Sequence, residues 1–84
     1  MAFYYLVKVG IAAYGVMHET ERFVRAIDSH EAEQAALLAI AHAELRPVTD
    51  GWLDGRFFYK LISVRLVSQQ DVATLTKYLG EPRT

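Results

Sequence analysis

The sequence predicts an α+β fold: a small antiparallel or mixed sheet of three or four strands, in the order strand-strand-helix-strand-helix, covered on one face by a long alanine-rich helix. Three observations carry this prediction. Residues 28–46, D-S-H-E-A-E-Q-A-A-L-L-A-I-A-H-A-E-L-R, are the one run long enough and rich enough in strong helix formers to make about four to five helical turns. Before it, residues 3–17 alternate with the period of a strand. After it, residues 56–68 are dense in β-branched and aromatic side chains. No internal repeat, linker or low-complexity tract divides the chain, so residues 1–84 read as a single domain.

In the first strand Phe3, Tyr5, Val7, Val9, Ile11 and Ala13 form a uniformly apolar set that should face the helix. Tyr4, Leu6 and Lys8 lie on the half-exposed side, Gly10 marks a bulge or bend, and Gly15 ends the strand. Residues 15–20 then read as a turn into a second strand over residues 21–27, antiparallel to the first because the connection is short. Phe23 and Ile27 share a face with Arg25, and Val24 and Ala26 share the other with Arg22, a pattern that leaves the buried face open.

The main helix starts where Asp28 or Ser29 accepts a bond from an orphan amide and Glu31 returns one. Its stop is Arg46, at the negative end of the dipole, followed by Pro47. At about 100° per residue, Ala32, Ala36, Ala39 and Ala43 make one stripe, edged by Ala35 and Ile40, that should lie on the sheet. Leu38, Ala41 and Leu45 fall opposite, with Leu37 nearby, and a helix apolar on two sides is usually covered on both. The second cover is expected from the last helix, from a loop carrying Trp52, or from another copy of the chain.

Beyond the helix, Asp50-Gly51 and Asp54-Gly55 are turn signals that hold Trp52 and Leu53 between them, either as half of a tight hairpin or as a loop whose indole folds back on the helix. In the third strand Phe57, Tyr59 and Leu61 hold one phase and Ile62, Val64 and Leu66 the other, which implies a bulge near Lys60 or two faces buried by different elements. Whether this strand runs parallel or antiparallel to its neighbour is open. Ser68 caps a last helix with Asp71 three positions on, Val72, Leu75, Tyr78 and Leu79 form its apolar stripe, and Gly80 with Pro82 ends it.

The chain has 84 residues and no cysteine, so cohesion must come from apolar burial. A hydrophobic fraction of 52% and an aromatic fraction of 12% give a dense core with apolar area left over for a partner. Nine basic against ten acidic residues leave a formal charge of −1, which is no footprint for nonspecific nucleic-acid or membrane binding. No secretory pattern or membrane span is legible, so cytoplasmic residence is the expectation.

No catalytic, cofactor or metal motif stands out. His18, His30 and His42 are spread over a loop, a helix start and a helix side, and His30-Glu31-Ala32-Glu33 has only the first half of a zincin motif. Ser29, Ser63 and Ser68 each have a structural role as cap or strand residue. The expectation is a protein that is not an enzyme and takes no cofactor. Tyrosine, tryptophan and arginine anchor protein interfaces, so Leu38, Leu45, Trp52 and Tyr78 are the expected buried contacts with a partner. Self-association as a homodimer, through the leucine side of the helix or by pairing an exposed strand edge, is the simplest form of that reading. Tyr4, Lys8, Arg25, Tyr59 and Arg65 are the expected exposed recognition face, and as aromatics interleaved with cations they equally suit the alternative, single-stranded nucleic acid.

A strand, a return ending R-F-V-R-A-I-D, a helix beginning S-H-E-A-E-Q-A-A and a closing strand resemble, over roughly residues 3–67, two groups of small modules. One is an archaeal ribosomal protein family with eukaryotic large-subunit relatives. The other is the heterogeneous set of phage-encoded inhibitors of anti-CRISPR or host-takeover type. The second resemblance implies a stand-alone nonenzymatic binder, acting in the host cytoplasm by occluding a host protein surface.

Overall fold

The computed structural model describes residues 2–41 and 44–80. Its elements in chain order are β1 (Phe3–Ala13), β2 (Val16–Ala26), α1 (Ser29–Ile40), β3 (Arg46–Val48), β4 (Gly51–Asp54), β5 (Phe57–Leu66) and α2 (Gln69–Leu79). The α+β class holds, with five strands instead of three or four, in the spatial order β2-β1-β5-β4-β3. Every pairing is antiparallel, which answers the direction of the strand after the main helix.

Three two-residue turns build the sheet. Tyr14 and Gly15 both have positive φ, 55° and 79°, the geometry whose twist matches antiparallel strands. Pairing therefore resumes at once, and Val16 to Thr20, read as a turn from sequence, is the first half of β2. Asp50 at φ 67° and Gly55 at φ 55° sit in the other two turns, so Trp52 and Leu53 belong to a strand paired on both sides.

α1 is shorter than its composition implied. Asp28 is the N-cap: its Oδ1 accepts from the Glu31 amide at 2.8 Å, while Glu31 Oε1 accepts from the Ile27 amide at 3.4 Å. At the far end Ala41 is already extended, and Arg46 with Pro47 forms β3 rather than a helical last turn. Strand pairing with β4 outweighs alanine's propensity there. Proline is tolerated because β3 is an edge strand. His42, Ala43 and Pro82 lie outside the described residues.

α1 covers one face of β2, β1 and β5, where Ala32, Ala36, Leu37 and Ile40 meet Tyr5, Val7, Val9, Val24 and Tyr59. Of the two leucines expected on its far side, Leu38 is 71% exposed. Leu45 lies beyond the helix and packs, half-buried, against the same core as Trp52. The second cover expected over the helix is thus absent for Leu38, since the leucine stripe breaks where the helix stops. The phase change in β5 is a bulge: Lys8 pairs Ser63 and the next residue, Val9, pairs Leu61, leaving Ile62 extra. α2 is capped by Ser68, whose Oγ accepts from the Asp71 amide at 3.3 Å, and ends at Gly80 with φ 83°. None of its residues is buried. No helix among the described residues is long and apolar enough to cross a membrane.

Candidate functional site on the open sheet face

Strand alternation sends every second side chain of β1, β2 and β5 away from α1. Cross-strand registers bring these into rows: Tyr4 beside Arg25, Leu6 between Phe23 and Arg65, Lys8 between Glu21 and Ser63, Gly10 between Glu19 and Lys60. Four cations (Lys8, Arg25, Lys60, Arg65) and two carboxylates (Glu19, Glu21) make this surface net positive, although the whole chain carries −1. A shallow groove bounded by Leu6, Lys8, Glu21, Ser63 and Arg65 crosses its middle.

An aromatic pair anchors one end. The rings of Tyr4 and Phe23 stand 5.8 Å apart at 31°, a tilted contact within the favourable range for aromatic pairs. Phe23 is only 5% exposed while its neighbour Val24 is fully buried under α1, so β2 buries both of its faces here. That is why alternation alone left the buried face of this strand open. The other end is softer: Met17 and Ile62 are exposed flanking Gly10, and a Cβ on Gly10 would stand 3.0 Å from Met17 Sδ and 3.3 Å from Ile62 Cδ1.

Of the five residues expected on a recognition face, Tyr4, Lys8, Arg25 and Arg65 share this surface. Tyr59 does not. It pairs with Ile11 and Trp52 on the helix side, is 1% exposed, and donates its hydroxyl proton to Asp54 Oδ2 at 2.7 Å. Burial first, then the hydrogen bond and negative charge of Asp54, push its pKa well above the ordinary tyrosine value. The phase it shares with Phe57 and Leu61 was the available signal for this placement. Asp54, 2% exposed, was legible only as a turn residue.

The expected interface residues are dispersed over α1, the segment before β3, β4 and α2. Leu38 and Tyr78 are exposed, at 71% and 74%, whereas Leu45 and Trp52 are half-buried against the core. His18 lies on exposed β2, and His30 Nδ1 is 4.0 Å from Glu33 Oε2 at the solvated start of α1. Among the described residues no three histidine, cysteine or carboxylate side chains gather as metal ligands would.

What fold and surface define is a class of protein: a small α+β domain with one sheet face under a helix and the other carrying aromatic and charged side chains to solvent. Compared with family models, curated proteins and solved structures, the chain matches none of them.

Proposed function

We propose that this chain is a nonenzymatic interaction module that docks a protein partner on the open sheet face. The single observation that carries this reading is the mixed row through Lys8: Glu21 and Ser63 flank it, Leu6 and the Tyr4–Phe23 ring pair adjoin it, and Arg25 and Arg65 close the sides. Interleaved charges of both signs around apolar and aromatic area suit a protein surface, where each charge selects its opposite. A phosphate backbone, by contrast, would meet Glu19 and Glu21 among the cations. The sequence resemblance would make that partner a host protein, inhibited by occlusion.

The second reading, a single-stranded nucleic-acid binder, is favoured by one feature: Tyr4 and Phe23 beside Lys8, Arg25 and Arg65 supply a stacking platform with neutralising cations. Two measurements separate the readings. Photo-crosslinking from a benzoyl-phenylalanine placed at Ser63, in the native host, is expected to give a discrete protein adduct, lost in a Lys8→Glu, Arg65→Glu variant. Anisotropy titration of labelled single-stranded oligonucleotides is expected to stay flat from low to high salt. Retention at low salt that weakens steeply with added salt and disappears in the same variant would replace the first reading with the second.

A further inference from the structure

The sheet has two edges of opposite character. β3 is three residues long and contains Pro47, so little of it is available to another strand. β2 is 11 residues long, contains no proline, and keeps an unbroken register with β1 from Ala26 to Val16. Among the described residues no strand pairs with its outer side, where the Glu21 carbonyl accepts only from the flexible side chain of its own neighbour, Arg22 Nη1, at 2.9 Å; this edge is the template that a further strand would extend.

We infer that a second copy of this chain occupies that edge, β2 against β2 in antiparallel register with Phe23 on the two-fold axis, forming one continuous sheet across both copies. Resting on the interaction-module reading, this names the chain itself as a first partner. Two observations select the register. In a hairpin with a two-residue turn the flanking residues, Ala13 and Val16, form a hydrogen-bonded pair. Alternating from there, Glu21, Phe23 and Arg25 turn their N–H and C=O groups to the free edge. Phe23 can then exchange both bonds with its own copy, and Glu21 with Arg25 of the other.

Charge makes the same choice. With Phe23 on the axis, Glu21 of each copy faces Arg25 of the other, twice over, Arg22 faces Val24, and no like charges are opposed. Centring on Glu21 sets that carboxylate against itself, and centring on Arg22 sets guanidinium against guanidinium. Centring on Thr20 opposes Glu19 to Glu21 in both directions. Like charges directly across a ladder are destabilising and opposite ones stabilising. The edge charges therefore do more than repel arbitrary strands: the Phe23-centred register is the one self-pairing of β2 that opposes charges of opposite sign without opposing any of like sign. Glu21 and Arg25 are both exposed, so neither is committed to the core.

Sedimentation equilibrium over a concentration series tests this. The wild type is expected to be a dimer, and Glu21→Arg and Arg25→Glu, each placing like charges at both symmetric positions, should each weaken association roughly tenfold or more. The double swap Glu21→Arg, Arg25→Glu recreates the opposed pairs and should restore it. Hydrogen exchange gives a second readout: the amides of Glu21, Phe23 and Arg25 should gain protection with rising concentration. A monomer at every concentration, a dimer indifferent to both single reversals, or a double swap no better than the singles would overturn the pairing. A monomer that still crosslinks through Ser63 would sink the pairing alone, and a register-dependent dimer that crosslinks to nothing would sink only the docking reading.

Discussion

The Tyr59 hydroxyl lies 2.7 Å from Asp54 Oδ2, and both residues are almost completely removed from solvent. A buried carboxylate is tolerated only where donors meet it, and one donor here comes from the strand paired with its own. The two side chains tie β4 to β5 across the turn at Gly55.

Tyr59→Phe keeps the ring and deletes that donor. The expected loss is about 1–3 kcal/mol, the range for leaving a buried polar group short of a partner. Chemical denaturation would measure it, and a loss below a few tenths would show that water replaces the hydroxyl. The wild type also has an alkaline signature. Because the folded pKa is raised, the stabilising contribution is complete below the ordinary tyrosine value of 10.0 and is lost as pH climbs past it. Unfolding free energy should therefore fall above that pH by up to about 1.4 kcal/mol per unit, with a shallower decline in Tyr59→Phe.

Gly51 and Gly15 should respond differently to alanine. A Cβ at Gly51 would collide with the Tyr59 carbonyl oxygen and stand 2.7 Å from the Phe58 ring, so backbone itself blocks it. Gly51→Ala is expected to cost about 3 kcal/mol or more, the upper end of overpacking. At Gly15 nothing lies within 4 Å, and only its φ of 79° resists, so Gly15→Ala should cost roughly 1 kcal/mol. Thermal denaturation of the two variants side by side checks the order.

Asp28→Ala removes the oxygen that accepts from the Glu31 amide. A loss of about 1 kcal/mol is expected, corresponding to a midpoint lower by roughly 4–8 °C for a domain of this size. Asp28→Ser should recover most of it, because the hydroxyl can take the same bond.

Adjacent leucines on α1 make a paired test of the helix's single covered side. Leu37 is fully buried and Leu38 is 71% exposed. Leu37→Ala should lose about 2–5 kcal/mol, while Leu38→Glu should stay within about 0.5 kcal/mol. A large loss from Leu38→Glu, accompanied by dissociation, would move the association surface from the β2 edge to the helix.

Much of the architecture was readable because its signals are local. The alternation of β1 as far as Ala13 and the Asp28 and Ser68 caps each depend on a few neighbouring residues, and the two Asp-Gly signals mark the right turns, each displaced by one residue so that Gly51 and Asp54 fall inside β4. What escaped depends on distant pairing. Val16 to Glu19 is exposed on both faces, so β2 shows no alternation there and only its register with β1 makes it a strand. Alanine propensity carried the expected helix to Arg46, but pairing between Arg46 and Leu53 claims that residue for the sheet. For the open face, four of five expected residues share a surface, because strand parity is legible. Tyr59 was misassigned because it shares parity with Arg65, whereas the bulge at Ile62 turns β5 over between them and sends Tyr59 to the helix side.

Sheet order has a consequence for synthesis. β1, the first of these five strands to be translated, ends between β2 and the much later β5. Its hairpin with β2 can form while the chain is still growing, but the flank reserved for β5 must wait until that segment has left the ribosome. During that interval an incomplete sheet presents two raw borders, and the nascent chain depends on α1, translated in between, to keep its greasy side shielded.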